Sequence, residues 1–279
     1  MKLSIITINY NNKDGLRKTI DSVVRQTFRD YEYIIIDGGS TDGSVDVIKE
    51  NEEYVSYWVS EKDNGIYHAM NKGVNVAKGE YCLFMNSSDT IYSSNTLQDI
   101  FSTNIKEDIV YGNFVSSGQL RKNEKKITLL NLLTHTIGHQ SSFIKRDLLL
   151  KNPYDESLRL VSDWKFFFQE LILNNASYRK IDTIIADFDN TGVSMNNQEY
   201  LKKERDGELK KILSPIMYDE INKYFGVKDK YYNLFVNIGE SPHKWRFYNA
   251  VVVLLKIIMV NKGWVKNLHI IKNQDNVNS

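Results

Sequence analysis

Cysteine and proline are scarce in this chain of 279 residues, which has one cysteine, Cys82, and three prolines. A single thiol cannot close an internal disulfide, so a disulfide-stapled secreted scaffold is excluded and a reducing, cytoplasmic setting is expected. Cys82 sits inside the apolar run Tyr81-Cys82-Leu83-Phe84-Met85, where a thiol serves as a small buried hydrophobe. No run approaches the roughly 18 uninterrupted apolar residues of a membrane span. The first residues lack the apolar stretch and cleavage site of a secretory signal. An excess of one charge is missing too. Thirty-six Lys and Arg face 35 Asp and Glu, a net charge of +1, so no nucleic-acid partner is expected. Internal repeats and low-complexity linkers are absent. What is left, 42% hydrophobic and 25% charged residues, is ordinary globular composition, with length for one large domain or a domain and a smaller appendage.

Apolar runs alternate with helical patterns through the first half. Leu3–Ile8 and Tyr31–Ile36 read as buried strands, and Leu16, Ile20, Val23 and Val24 between them share one helical face. Ser44–Lys49 opens a helix, Val55–Val59 reads as a strand, Gly65–Ala77 as a helix and Glu80–Met85 as a fourth strand. This rhythm predicts an α/β fold with a mostly parallel central sheet and flanking helices. After about residue 105 it changes. Asp108–Gly112 reads as a strand, 114–126 as a hairpin, and Ser141–Ile144 as a return to the sheet. Asp163–Leu173 reads as a helix with Trp164, Phe167, Phe168 and Leu171 on one face, and residues 196–279 as a mainly helical C-terminal region.

Three polar clusters, Asn9–Asn12, Asp37–Asp42 and Asn86–Asp89, each follow the C-terminal end of a predicted strand. Ligands of open parallel sheets bind in the crevice beyond those ends, so the clusters describe one site. In Asn86-Ser87-Ser88-Asp89 a single carboxylate stands among amide and hydroxyl groups, a set suited to Mg²⁺ or Mn²⁺ shared with phosphate, and equally to helix capping. In Asp37-Gly38-Gly39-Ser40-Thr41-Asp42 the paired glycines permit a sharp turn beside a ligand. Asp37 is the candidate for accepting from a base or ribose, and Asp42 or Thr41 for capping the next helix. Asp63 and Lys72 are candidates for flanking a diphosphate, with a solvated helix charge as the other reading of Lys72. His68 and Tyr67 carry no specific signal.

The ordered set Thr7-Ile-Asn-Tyr-Asn11, Ile36-Asp-Gly-Gly-Ser-Thr-Asp-Gly43, Asp63-Asn-Gly-Ile-Tyr67, Ala69-Met-Asn-Lys-Gly73, Ala77-Lys-Gly-Glu-Tyr81 and Asn86-Ser-Ser-Asp89 resembles the family 2 glycosyltransferases. The match is tight through residues 1–90 and looser to about 195. The resemblance implies the nucleotide-diphospho-sugar transferase fold of GT-A type, with residues 1–195 as the catalytic domain and 196–279 as a helical appendage. It implies an inverting, metal-dependent transfer of a sugar from a nucleoside-diphosphate donor, UDP by default, to a glycan or lipid-linked hydroxyl acceptor in surface polysaccharide synthesis. Residue by residue, it implies that Thr7, Asn9 and Asp37 contact the nucleoside, that Asp63 lies near the nucleotide, and that Asp89 coordinates Mn²⁺ or Mg²⁺ beside Asn86 and Ser88. The chain departs from the commoner pattern at Ser88, where an acidic residue is frequent. The resemblance also implies a catalytic base at Asp163, in Val161-Ser-Asp-Trp-Lys165, a position that suits a helix N-cap as well. Gly138-His-Gln-Ser-Ser142 resembles a loop of one branch of the family, in which His139 either meets donor phosphate or acceptor, or satisfies a buried hydrogen bond. Asp189–Ser194 resembles the segment that follows the base.

One more signal stands apart. The apolar run Ala250–Val260 is flanked by Lys244, Trp245, Arg246, Lys262, Trp264 and Lys266. Residues 244–266 read either as an interfacial helix, placing the protein peripherally at the inner face of the cell membrane, or as a helix docked on the catalytic domain or on a homodimer partner. Two other function classes compete with the transferase. A nucleotidyltransferase wants a Gly-rich phosphate loop at the first strand–helix turn, which Asn9-Tyr-Asn-Asn12 does not supply. A non-catalytic nucleotide- or glycan-binding module would dispense with Asp89 and Asp163.

Overall fold

A computed structural model of the chain describes residues 1–189 and 197–223. The apolar segment within 244–266 and most of Asp189–Ser194 lie outside the described residues. By its contacts the chain divides into two units, Met1–Glu208 and Leu209–Ser279. Among the described residues no helix is long and apolar enough to cross a membrane.

The parallel half is built as the sequence pattern implies. Strands β1 (Leu3–Asn9), β2 (Tyr31–Asp37), β3 (Tyr57–Ser60) and β4 (Tyr81–Phe84) pair in the order β3-β2-β1-β4, all parallel. β1 and β4 are buried along their whole length and β2 nearly so, which is why they read as continuous apolar runs rather than alternations. Leu16, Ile20 and Val23 of helix α1 (Lys13–Val24) join Leu3, Ile5, Tyr33, Ile35 and Leu83 in the main core cluster. Helix α2 (Ser44–Glu50) follows β2, and α3 (Ile66–Val76) packs close enough that a Cβ on Gly73 would stand 2.4 Å from Ile6 Cγ2.

The second half completes one nine-stranded sheet in the order β3-β2-β1-β4-β8-β6-β9-β5, with β7 on β6. Its members are β5 (Thr90–Ile91), β6 (Ile109–Ser116), β7 (Gln119–Arg121), β8 (Ser142–Lys145) and β9 (Tyr178–Phe188). β8 runs antiparallel to both β4 and β6, joining the halves. The expected hairpin after residue 114 is β6–β7. The sheet gains a further strand that the sequence pattern does not mark, the eleven residues of β9, parallel to β6. Four helices surround this half: α4 (Thr96–Phe101), α5 (Leu129–Thr134), α6 (Arg146–Lys151) and α7 (Ser162–Phe168). The helix expected over 163–173 is α7 plus a π-type turn over Gln169–Leu173. Helix α8 (Gln198–Ile212) follows. The three carboxylate oxygen contacts made by Glu204 tie α8 to the segment before α7: it accepts from Arg159 N at 2.7 Å, Leu160 N at 2.8 Å and Val161 N at 3.1 Å.

Candidate active site

The ends of β1, β2 and β4 meet through side chains. Asn9 and Asp37 are register partners in the last rung of the β1–β2 ladder. Asp37 is fully buried and accepts from Asn9 Nδ2 at 2.7 Å, Ser40 Oγ at 2.6 Å, Ser40 N at 2.9 Å and Ser60 Oγ at 2.6 Å. Burial pushes its carboxyl up, but these donors outweigh it and hold the group below the usual range. Asn9 Oδ1 accepts from Ser87 Oγ at 2.7 Å, locking the first loop to the third. Asp42 serves two helix starts, accepting from Lys13 N at 2.8 Å and Ser44 N at 3.0 Å, although Gly43 holds the cap position of α2.

The turn over Asn86–Asp89 is wedged against α1. Asn12 caps α1, its Oδ1 accepting from Gly15 N at 3.1 Å, while its Nδ2 donates to Ser88 Oγ at 3.0 Å. Ser88 adopts φ +86°, a left-handed backbone uncommon outside glycine. A Cβ on Gly15 would fall 2.2 Å from Ser88 Oγ, so that glycine makes the room the turn occupies. Thr19 Oγ1 donates to Asp89 O at 2.7 Å and accepts from Ser88 N at 3.1 Å.

Asp89 is 4% exposed, and its carboxylate accepts from Asp189 N at 3.1 Å. Burial pushes it up to about 7, against the pull of His139. In the same turn Asn86 Oδ1 is buried with no hydrogen-bond partner. Among the described residues no three His, Cys, Asp or Glu side chains form a cage. One buried carboxylate with an unpartnered amide oxygen three residues away is a sparse, hard donor set. It fits Mg²⁺ or Mn²⁺ held largely by the phosphate oxygens of a ligand.

Asp163 stands in the first turn of α7, whose cap position belongs to Val161. It is buried, with Oδ1 accepting from Tyr67 Oη at 3.0 Å and Trp164 N at 2.9 Å, and Oδ2 lying 3.0 Å from His139 Nδ1. Burial raises its pKa, but His139 and the two other donors more than offset this, so the carboxylate is held below the ordinary range. His139 Nε2 lies 3.0 Å from Asn86 Nδ2. In the neutral ring, accepting there places the proton on Nδ1, facing Asp163. Burial lowers the His139 pKa, and the Asp163 and Asp89 carboxylates raise it by more. One imidazole therefore spans the Asn86–Asp89 turn and Asp163.

A cleft of about 1060 Å³ gathers Asn9, Asp63, Asn86, Ser88, Asp89, His139 and Asp163 on its walls. Three expected residues lie behind those walls. Thr7 is buried in β1 with Oγ1 3.0 Å from Tyr33 Oη, Asp37 lies under the Gly38–Gly39 turn, and Lys72 Nζ is bound to Glu61 at 2.7 Å and Asp63 at 2.6 Å. The cleft adds residues that sequence reasoning gave no role. Tyr10, 68% exposed, lies at its rim. Tyr67 supports Asp163, and Arg159 and Arg205 line the far end with Leu160 and Leu201. Tyr67 falls inside a quoted motif, a signal that went unused; nothing around Arg205 marks it.

Residues 4–173 match the family model for glycosyl transferase family 2. The chain belongs to that family, whose members are glycosyl transferases. A glycosyltransferase of PGL/p-HBAD biosynthesis from Mycobacterium bovis is 29% identical over 213 residues, covering 72% of this chain and 82% of that one. Among solved structures, residues 1–349 of S. aureus TarS in complex with UDP-GlcNAc superpose with a TM-score of 0.62 at 20% identity, covering 79% of this chain and 70% of that one. The chain spans 43% of the longer TarS chain. The mannosyltransferase PcManGT from Pyrobaculum calidifontis, in complex with GDP-Man and Mn²⁺, gives a TM-score of 0.59 at 13% identity, covering 94% and 82%. These likenesses establish the GT-A fold.

Proposed function

We propose that the chain transfers a sugar, with inversion, from a nucleoside-diphosphate donor to a hydroxyl of a glycan or lipid-linked acceptor. The observation that carries this is the opposition of two differently tuned carboxylates across one cleft. Asp89 is buried and short of donors, so it gains from a cation. Asp163 is ionised at neutral pH and held in place by three donors. A carboxylate offers about four acceptor positions on its two oxygens, so one is left for the proton of an attacking hydroxyl. Inversion needs one such base. His139 acts by positioning, since one nitrogen faces Asp163 and the other Asn86.

Asp89, with Asn86 beside it, would hold Mg²⁺ or Mn²⁺ together with the donor diphosphate. The cation would stabilise the charge of the departing nucleotide. Asn9 and Tyr10 flank the nucleoside end, the Tyr10 ring offering a face to the base. Asp37 supports this end from beneath through Asn9 and Ser40. UDP is the favoured nucleotide, because one structural neighbour was solved with UDP-GlcNAc; another was solved with GDP-Man. The catalytic region comprises residues 1–195 together with the start of α8, and the remainder serves as an appendage.

The test is thermal melting with a panel of UDP- and GDP-sugars, with and without Mn²⁺. A rise in Tm that needs both one nucleotide sugar and Mn²⁺ is expected, by linkage to binding. Equal shifts with and without metal would overturn the role given to Asp89.

A further inference from the structure

Arg205 makes no ion pair among the described residues, and the Asp163 carboxylate acts on it only at longer range. Its Cζ lies 5.1 Å from the centroid of the Trp164 ring, and the indole is itself fixed by Nε1 donating to Leu132 O at 2.5 Å. One guanidinium nitrogen donates to Thr134 O at 3.2 Å, while Nε is buried with no partner. No described carboxylate lies within ion-pair distance of it. The acids that might serve are engaged elsewhere. Asp163 takes Tyr67, His139 and Trp164 N. Glu204, on the same helix, spends both oxygens on the backbone of residues 159–161. Arg159 lines the same end of the cleft, its Cζ 5.8 Å from the Tyr200 ring, again with no acidic partner among the described residues. The joining residues 190–196, Asn-Thr-Gly-Val-Ser-Met-Asn, contain no acid.

A half-buried guanidinium with no ion-pair partner among the described residues is costly, and the planar fork matches phosphate oxygens two at a time. Resting on the transferase reading, we propose that the acceptor carries a phosphate group and that Arg205, assisted by Arg159, binds it beside the reacting hydroxyl. The donor diphosphate belongs at Asp89. Arg205 instead stacks on Trp164, the neighbour of the base Asp163, where the acceptor hydroxyl must arrive. Leu160 and Leu201 on the same wall exclude water and strengthen the ion pair.

The probes are glycerol 1-phosphate and glycerol, titrated into the full chain loaded with saturating UDP or GDP and Mn²⁺. Glycerol 1-phosphate should bind the nucleotide-loaded protein at least tenfold more tightly than glycerol. Arg205→Met should remove that preference while leaving nucleotide affinity within about twofold, and Arg159→Ala should weaken it in part. If Arg205→Met does not fold, Arg205→Lys keeps the charge and loses the fork, and should still cost most of the preference. No preference for the phosphate would overturn the proposal. So would a parallel loss of nucleotide affinity in the Arg205 variant, which would assign the arginine to the donor. Failure of any nucleotide to bind would instead strike at the transferase reading, and a phosphate site dependent on Arg205 in the nucleotide-free protein would survive it.

Discussion

Replacing Asp89 by Asn should make the metal-free protein more stable while abolishing its response to Mn²⁺. Burial lifts the Asp89 carboxyl from the ordinary 3.8 to about 7. Below pH 3.8 folded and unfolded chains both hold the proton, and above 7 both have released it. Between those limits the folded chain keeps a proton that the unfolded chain has lost, so stability falls as pH rises. Each pH unit costs about 1.4 kcal/mol, and the interval from 3.8 to about 7 makes the total penalty roughly 4 kcal/mol at pH 8. Asparagine keeps an acceptor for Asp189 N but leaves its own NH₂ buried without an acceptor, at a cost of about 2 kcal/mol. The net gain, about 2 kcal/mol, corresponds to a Tm increase of roughly 4–8 °C at pH 8 for a domain of this size.

The assay is a pair of melting series in EDTA from pH 5 to 8. The advantage of Asp89→Asn should shrink as pH falls and vanish near pH 5, where the wild-type penalty is about 1.6 kcal/mol and matches the cost of the asparagine. A pH-independent difference, or a variant less stable at pH 8, would refute the assignment of a buried, proton-holding carboxyl. The same protonation predicts the acid limb of activity. Protons compete with Mn²⁺ for Asp89, so the Mn²⁺ concentration needed for half-maximal activity should rise as pH falls below about 7.

Asp163→Asn should lower kcat by about 10²–10⁴-fold, the usual worth of a general base, while the Tm shift with nucleotide and Mn²⁺ persists; loss of that shift would move Asp163 out of the base role. Tyr10→Ala should raise the Kd for UDP about fivefold or more, as removal of an aromatic face from a base does, and calorimetric titration would show it. Gly79→Ala places a Cβ 2.5 Å from Leu3 C and Ser4 N, beside the turn whose Gly79 N donates to buried Glu32 at 3.1 Å. It should cost about 1–3 kcal/mol, seen in urea unfolding, without changing Kd for UDP in the folded protein.

The parallel half was legible because its physics is local and periodic. Buried parallel strands must be apolar throughout, and the polar groups must then collect at their ends, so Ile5, Ile35 and Leu83 announce the sheet and Asn9, Asp37 and Asp89 the crevice. The depth of each carboxylate was not legible. Asp37 and Asp89 each end a strand or follow one, yet four donors surround the first and one backbone N–H meets the second. Only loop packing decides that. β9 hid for a different reason. Arg179, Lys180, Asp182 and Asp187 interrupt its apolar residues, and its side chains are mostly half-buried, so neither alternation nor a continuous run marks it. Arg205 and Glu204 lie in a helix so polar that sequence alone gives only a solvated surface.

The two ends of the cleft are held by different means. At the end proposed for the nucleotide, Asn9, Asn12, Ser40 and Ser87 bind the loops after β1, β2 and β4 to one another, across as many as 78 residues of chain. At the end proposed for the base, Tyr67 and His139 meet on Asp163, and Glu204 fastens the approach to α7. Tyr67, His139 and Asp163 each fall inside a separate short motif, and nothing in those motifs tells that the first two meet on the third. His139 is where the two meet. Its imidazole reaches Asn86 on one side and Asp163 on the other, so under the proposed roles the turn that would carry the metal and the carboxylate that would act as base are oriented by the same ring.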